Sequence, residues 1–337
     1  MQLGNKIAAA IGFGLCLALT PLGAMAKDQL KPRKLGIVVI NTQSESLANW
    51  ANNLAAAAEK LHWTPIIKNG ESNPAVVATL LPDLLTQGVD AIITMAVDAP
   101  LMTQGLAAAK AKKVPVIATV VGVNPAGKEN FTAVYPVSDY ALGVALANYL
   151  VDKNPKAVAV GQTATLVYAA DQLVVGAKDT LVKRGASMAA VQDTDVTNLV
   201  TSFTQTTNDL ALSHPDANAL ISCCDFAPLM DLPALKAAHR TDMTLMTRVD
   251  NPSTIQAMKA GANVVVATFR TDRYNLFALD ALAAYFAKTT PIPAGMPDFD
   301  GDIKIVDKDH IPASGAVYPF ADELAPYLAR WNELYQF

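Results

Sequence analysis

The chain has 337 residues, of which 52% are hydrophobic and 17% are charged, with a formal net charge of −4. This length and apolar content support a large folded core and exclude an intrinsically disordered chain. The slight acidic excess disfavours nucleic acid or an anionic membrane surface as a partner.

The first 26 residues have the pattern of a secretory signal. A lysine precedes the apolar run 7–19, and small residues stand at Ala24 and Ala26, the two recognition positions for cleavage. We therefore expect cleavage before Lys27 and a mature protein in the periplasm. No later stretch reaches the roughly 18 uninterrupted apolar residues that a membrane-spanning helix needs.

After this segment, short apolar runs alternate with helical patterns. Apolar residues from Leu47 to Leu61 follow a helical stripe, and a second amphipathic run over 76–87 ends at Gly88. This alternation is typical of buried parallel strands joined by right-handed helical crossovers. It predicts strands at 35–41, 91–95, 116–120, 158–161, 219–223, 245–249 and 264–268.

An internal repeat divides the chain. The motif Ala99-Pro-Leu-Met102 and its flanking strands recur 128 residues later around Ala227-Pro-Leu-Met230. The repeat predicts two similar α/β lobes. Because no Gly- or Ser-rich linker separates them, we expect several short crossings and a ligand cleft between the carboxyl ends of two parallel sheets.

Six segments between about residues 34 and 306 give the chain a family resemblance. They are Lys34-Leu-Gly-Ile-Val-Val-Ile, Gln87-Gly-Val-Asp-Ala-Ile-Ile, Val114-Pro-Val-Ile, Ser138-Asp-Tyr-Ala-Leu-Gly, His214-Pro-Asp-Ala-Asn-Ala-Leu-Ile and Val249-Asp250. In their order and spacing the sequence resembles the type 1 periplasmic solute-binding proteins of the ribose and galactose class. The resemblance implies two Rossmann-like lobes with parallel sheets, joined by three hinge crossings. It also implies closure over a solute and delivery to the membrane permease of an ABC importer.

The resemblance also implies the division into lobes. The N-terminal lobe is expected to comprise residues 27–138 and about 270–300, and the C-terminal lobe residues 139–269 and about 301–310. The hinge is then expected at the crossings, near residues 136–139, 268–271 and 300–310.

Residues 311–337 are expected to form a C-terminal extension that the shorter sugar binders lack. Apolar residues between Leu324 and Tyr335 have helical spacing there. We expect an amphipathic helix that packs back on a lobe, with a partner-docking surface as the alternative.

The sugar contacts of the family carry over incompletely. Where sugar binders have Asn and two Phe after the first strand, this sequence has Gln43 to Glu45. Their Asp-Arg pair after the third strand is replaced by Val120-Val121, and an expected Arg is replaced near Asp171. Asp250 keeps the acidic position of the family. Because many of the aromatic and charged residues that contact a sugar ring are missing, we expect a small polar ligand that is sugar-like or sugar-derived.

Two carboxylates at strand ends are candidate ligand contacts. Asp250 is expected to accept hydrogen bonds from ligand hydroxyls or an amine, with Asp225 helping; the alternative for Asp250 is to cap the helix after Pro252. Val120, Val121 and the Cys223-Cys224 pair are expected to line an apolar wall.

Residues near helix starts are further candidates, each with a structural alternative. Gln43, Ser44 and Glu45 precede a helix whose free amides would face the cleft, yet Ser44 or Ser46 would serve equally well as its N-cap. Asp171 would contact the ligand or simply favour the dipole of its own helix.

The cysteines and aromatic residues complete the candidate site. Cys224 lies where sugar-binding relatives place polar contacts, and the adjacent pair is either strained by a bridge or, as we favour, reduced and buried. Among the aromatic residues, Tyr168 and Phe226 are the preferred cleft contacts, and Phe269 lies near a predicted strand end.

The sequence disfavours other functional classes. It has no phosphate loop, no Gly-x-Ser-x-Gly and no His-Glu-x-x-His, and its four histidines are far apart, so we expect neither an enzyme nor a cofactor or metal. A DNA-binding regulator with the same core would carry a helix-turn-helix in place of the export signal. A periplasmic sensor that presents its ligand to a histidine kinase or chemoreceptor remains the alternative to transport. A monomer is expected.

Overall fold

The computed structural model describes residues 27–120, 122, 124–165, 167–296 and 303–337. The expected export signal, Val121 and residues 300–302 of the third expected crossing lie outside these ranges. Among the described residues, no helix combines the length and the apolarity that would let it cross a lipid bilayer.

The first lobe is built on a parallel five-stranded sheet. Its elements are β2 (Lys34–Val39), α1 (Glu45–Lys60), β3 (Thr64–Asn69), α2 (Pro74–Thr86), β4 (Ala91–Met95), α3 (Thr103–Ala111), β5 (Val116–Val120) and β6 (Ala133–Pro136). The strand order is β3-β2-β4-β5-β6. The apolar side chains of α2 and α3 cover one face, and those of α1 cover the other.

The second lobe repeats this plan on a six-stranded sheet. Its elements are α4 (Asp139–Lys153), β7 (Val158–Ala164), α5 (Tyr168–Lys183), β8 (Ser187–Thr194), α6 (Leu199–Ser213), β9 (Ala219–Ser222), α7 (Pro228–Ala237), β10 (Thr244–Arg248), α8 (Pro252–Lys259), β11 (Val264–Thr268) and β12 (Lys304–Val306). The order is β12-β11-β10-β9-β7-β8, with only β12 antiparallel among the described strands. Helices α4 and α5 can pack closely because Gly143 and Gly176 lack side chains. A Cβ at either position would collide with the backbone of the other helix.

The chain passes between the lobes more often than expected. It enters the second lobe between β6 and α4, returns through residues 268–271 to α9 (Thr271–Phe286), and reaches β12 through a segment that includes the undescribed residues 297–302. Residues 307–319 then lead back to α10 (Phe320–Leu334), which packs on α9 and α1 of the first lobe. The extension therefore adds a fourth passage to the three predicted.

The end of the extension is fastened to the start of the described chain. Trp331 of α10 is buried, and its indole N–H donates to Asp280 of α9 at 2.8 Å. The last strand, β13 (Tyr335–Gln336), pairs in parallel with β1 (Asp28–Gln29). The amphipathic segment thus packs back on the first lobe.

The predicted two-lobed α/β fold with parallel sheets is confirmed, but several strands were missed. The seven apolar runs correspond to β2, β4, β5, β7, β9, β10 and β11. The strands β3 and β8 carry many half-buried or exposed side chains, because each lies at a sheet edge. Edge strands lack the continuous apolar run by which the buried strands were recognised.

Candidate ligand-binding site

The loops at the carboxyl ends of the two sheets meet in the cleft between the lobes. The Ser44 hydroxyl donates to Asp225 Oδ2 at 2.8 Å. The Ser253 N–H donates to Glu45 Oε2 at 3.1 Å, and the Tyr168 N–H donates to Asp98 Oδ2 at 3.3 Å. Each bond joins one lobe to the other, so the structure has the lobes closed on each other.

The loop before α1 contributes one buried polar contact to the cleft. Ser44 caps α1 by accepting a hydrogen bond from the Leu47 N–H at 3.2 Å, and its hydroxyl proton is directed to Asp225. The N-cap and cleft-facing roles left open by the sequence therefore coincide in Ser44. Gln43 is exposed, and its N–H donates to Asn41 Oδ1 at 2.6 Å.

A small cavity, which we call the central cavity, lies beside the Ser44–Asp225 contact. Its volume of about 40 Å³ holds only a few water molecules, so a larger solute enters only when the lobes separate. Both lobes contribute to its lining, which includes Asn41, Leu47, Trp50, Ser72, Cys224, Asp225, Phe226 and Arg248.

The second lobe supplies a mixed polar and apolar wall to the central cavity. Cys223 and Cys224 are buried free thiols, and burial raises the pKa of Cys223 well above its ordinary value. Phe226 is fixed by an edge-on contact with Phe203, with ring centroids 5.3 Å apart. Asp225 is buried, and its carbonyl accepts from the Asn251 side-chain amide at 2.8 Å.

Arg248 is a cavity residue that the sequence analysis missed. Only 7% of it is exposed, one guanidinium nitrogen donates to the fully buried side chain of Asp139, and Nε has no hydrogen-bond partner. Burial lowers the pKa of Arg248, but the facing Asp139 carboxylate raises it. The net effect is a rise, so the guanidinium is charged. A charged residue at the end of an otherwise uncharged, buried strand was the signal that could have revealed it.

Asp139 holds Arg248 from the crossing between the lobes. Burial raises the pKa of Asp139, while the Arg248 charge and the Gly122 N–H, 2.9 Å from its Oδ2, oppose that rise. Because Asp139 is the first residue of α4, the position of Arg248 depends on the connection at residues 136–139.

Asp250 lies outside the central cavity. Its Oδ1 accepts from Thr268 Oγ1, and its Oδ2 accepts from the Val317 N–H at 2.6 Å. The cap of α8 is Asn251, whose Oδ1 accepts from the Thr254 N–H at 2.9 Å, so the capping alternative for Asp250 is wrong. Phe269 is buried against Tyr274, with ring centroids 5.7 Å apart.

Tyr168 and Asp171 line a separate space between the lobes, with a volume of about 280 Å³. Burial and the nearby Asp193 raise the pKa of Asp171. Asp98 lines the same space. Despite these carboxylates, no group of three or more metal-ligating side chains is found in the part of the chain that the structure describes.

Backbone strain marks two strand ends at the cleft. Val120 ends β5 with φ of 72°, and Val249 follows β10 with φ of 63°. Left-handed φ values are genuine outliers for β-branched residues, and such strain is concentrated at functional sites. Val120 is fully buried in the core of the first lobe.

Seven of the predicted site residues line three spaces, whereas Gln43, Glu45 and Val120 line none of them. Cys224, Asp225 and Phe226 line the central cavity, and Ser44 contacts it through Asp225. The other lining residues divide between two further spaces. Asp250 and Phe269 line one beside the crossing at residues 268–271, and Tyr168 and Asp171 line the space of about 280 Å³.

Residues 35–288 match the model of a family described as a periplasmic binding protein domain. The chain belongs to this family. The match covers most of both lobes, from β2 through α9. None of the curated proteins compared with the chain matches it in sequence.

Solved structures of periplasmic binding proteins share the fold. An arabinose-binding component from Shewanella sp. ANA-3 has a TM-score of 0.74 at 16% identity, covering 88% of this chain and 98% of its own. A 5-methylthioribose-binding protein from Thermotoga lettingae has a TM-score of 0.73 at 14% identity, with coverage of 90% and 99%. A galactofuranose-binding protein has a TM-score of 0.71 at 16% identity, with coverage of 87% and 98%. These likenesses establish the fold.

Proposed function

We propose that this protein is the solute-binding component of an ABC importer. It is exported by its N-terminal signal, works as a monomer in the periplasm, and delivers a small polar ligand to a membrane permease. Family membership and the two-lobed fold support this proposal, as do related structures that are named for arabinose, galactofuranose and 5-methylthioribose.

The observation that carries the proposal is the pairing of Arg248 and Asp225 in one closed cavity. Arg248 offers an unpartnered N–H donor, and Asp225 offers a carboxylate acceptor, both from the second lobe. A sugar-like ligand with neighbouring hydroxyls can accept from the first and donate to the second. Cys224 and Phe226 would contact its apolar face.

Closure follows from the same geometry. Ser44 of the first lobe reaches Asp225 only when the cleft is closed, and the small cavity requires the lobes to open for entry. Because a sugar-like ligand is larger than this cavity, it would be held with the lobes slightly further apart, and its contacts with both lobes would favour that arrangement over the open one.

The test is a thermal-shift screen of the mature protein against monosaccharides and their derivatives, followed by titration calorimetry. A bound solute raises the melting temperature. Arg248→Lys keeps the charge that Asp139 needs but removes the guanidinium fork, so affinity should fall about tenfold or more. Arg184→Lys, in an exposed ion pair with Asp152, is the matched control. Failure of every solute, or unchanged affinity in Arg248→Lys, would overturn the proposal.

A further inference from the structure

A second cavity lies on the hinge side of the cleft, and we call it the hinge-side cavity. One face of α1, residues 249–252, residues 269–272 and residues 315–320 of the extension enclose its volume of about 150 Å³. Both lobes and the extension therefore contribute to it. Trp50 lines this space and the central cavity.

Two buried oxygen atoms on residues that line this cavity have no partner. Ser46 is 3% exposed and Asp272 is 8% exposed, and neither Ser46 Oγ nor Asp272 Oδ1 makes a hydrogen bond. Asp272 Oδ2 accepts from the Asn53 side-chain amide at 3.0 Å, so half of the carboxylate is already fixed. Buried polar atoms are nearly always satisfied in folded proteins, which points to donors supplied from outside the chain.

The charged side chains that line the cavity are all acidic. Asp250 and Asp272 line it, and no lysine or arginine does so among the described residues. The hydrogen-bond partners of both carboxylates are neutral groups. Two cations lie nearby and have other partners. The Arg270 guanidinium is 3.4 Å from Glu323, and both Arg270 and Lys304 lie over the ring of Tyr318.

We propose that the hinge-side cavity binds the primary ammonium group of a small molecule. The ammonium donates one hydrogen bond to Asp272 Oδ1 and another to Ser46 Oγ, and its positive charge compensates the two carboxylates. The attached carbon chain packs among Trp50, Phe269 and Tyr318, and the rings of Trp50 and Phe269 also attract a cation. This cavity is distinct from the central cavity proposed to bind the solute, although Trp50 lines both.

The chemistry of the lining favours an ammonium over a bare metal ion. A metal would need several oxygen ligands, whereas two buried side-chain oxygens of the described lining lack a partner and aromatic residues form much of the wall. Since the lining comes from both lobes and the extension, occupation of the site stabilises the closed arrangement.

The probes are n-butylammonium and tetramethylammonium chlorides, which have the same charge and the same number of non-hydrogen atoms. Only n-butylammonium carries N–H donors. The mature protein is titrated with each salt at pH 8 and constant ionic strength, because burial raises the pKa of Asp272 to about 7 and only the ionised carboxylate pairs with the ammonium. Tryptophan fluorescence and melting temperature are recorded. We expect a saturable fluorescence change, reported by Trp50, and a rise in melting temperature with n-butylammonium alone.

Variants on α9 make the test specific. Asp272→Asn should weaken n-butylammonium binding at least about tenfold. The control is Asp280→Asn, since Asp280 lies on the same helix but binds Arg330 and Trp331; it should bind normally. Circular dichroism checks that both fold. An equal response to tetramethylammonium, no saturable response, or full binding by Asp272→Asn would each overturn the inference.

The outcome is separable from that of the proposed function. Solutes found by the thermal-shift screen should still bind Asp272→Asn, because they occupy the central cavity. Solute binding without n-butylammonium binding would overturn only the ammonium site.

Discussion

The Ser44 hydroxyl lies 2.8 Å from Asp225 Oδ2 and connects the N-terminus of α1 to the loop after β9 across the cleft. A second contact runs in the opposite direction, since Asp98, after β4, accepts from the Tyr168 N–H at the start of α5. Asp98 and Asp225 precede the two copies of the Ala-Pro-Leu-Met repeat. Each lobe therefore presents a carboxylate to the N-terminus of a helix of the other lobe, where negative charge is favourable.

Ser44→Ala is predicted to open the protein in the absence of ligand. The hydrogen bond to a carboxylate contributes about 1.5–3 kcal/mol to the closed arrangement, so its loss should shift the closed-to-open ratio by about tenfold or more. Small-angle scattering should show a larger radius of gyration. Asn73→Ala is the control, because Asn73 caps the exposed start of α2 and its loss should cost only cap stability of about 1 kcal/mol. An unchanged radius in Ser44→Ala would contradict the prediction.

The buried pair of Arg248 and Asp139 should be expensive to break from one side. Asp139→Asn is predicted to lower the free energy of unfolding by about 3–5 kcal/mol, because it leaves the Arg248 charge buried without its carboxylate. Asp152→Asn removes the carboxylate of the exposed Arg184 pair and should cost less than about 1 kcal/mol. Urea denaturation measures both. Equal small losses would mean that Arg248 finds another partner or reaches water.

The fold was largely predictable because its signals are local. Buried parallel strands are continuous apolar runs, and the repeat around Ala99 and Ala227 revealed the second lobe. The strand β8 was missed since its exposed edge position leaves an alternating pattern, and the path of residues 307–319 depends on contacts far away in sequence.

The site was only partly predictable, for a different physical reason. Asp225 and Ser44 were identified because strand ends and helix starts face the cleft. Arg248 was missed because it stands inside a run interpreted as strand, and its partner Asp139 is 109 residues away. The contact of Asp250 with Val317 spans 67 residues, which no local pattern reveals.

Stability is predicted to fall as the pH rises from about 5 to 7. Burial raises the pKa of Asp231 to about 7, although its hydrogen bonds with Thr207, Ser222 and Gln162 oppose that rise. The folded state then binds a proton that the unfolded state, with an ordinary pKa near 3.9, has released. Asp231 alone should therefore decrease the free energy of unfolding by up to about 1.4 kcal/mol per pH unit in this window.

Asp231→Asn tests the origin of this slope. The variant should have a flatter dependence on pH and exceed the wild type in stability above about pH 7, because its amide stays neutral. Part of the slope should persist, since burial also raises the pKa of Asp272 to about 7. Asp209→Asn, on the exposed side of α6, should leave the slope unchanged. Identical slopes in all three proteins would refute the assignment to Asp231.

Asp250 is predicted to hold the C-terminal extension rather than the solute. Its Oδ2 accepts from the Val317 N–H at 2.6 Å, and its Oδ1 accepts from Thr268. Asp250→Ala removes both acceptors. We therefore expect hydrogen exchange at the Val317 amide to accelerate at least about tenfold, because the N–H loses its charge-assisted hydrogen bond and reaches solvent more often.

The same variant decides between two roles for Asp250. A carboxylate that anchors the ligand, as expected from the sequence, requires a loss of about ten- to a hundredfold in solute affinity. A carboxylate that fastens the extension predicts faster exchange at Val317 with affinity changed by less than about threefold. Calorimetry with the solute from the screen and exchange mass spectrometry measure the two quantities on one sample. Asp280→Asn is the control, since it loosens α10 through Trp331 and leaves the contact at Val317 in place. Protected exchange at Val317 together with lost affinity would restore Asp250 to the ligand site and refute its role in fastening the extension.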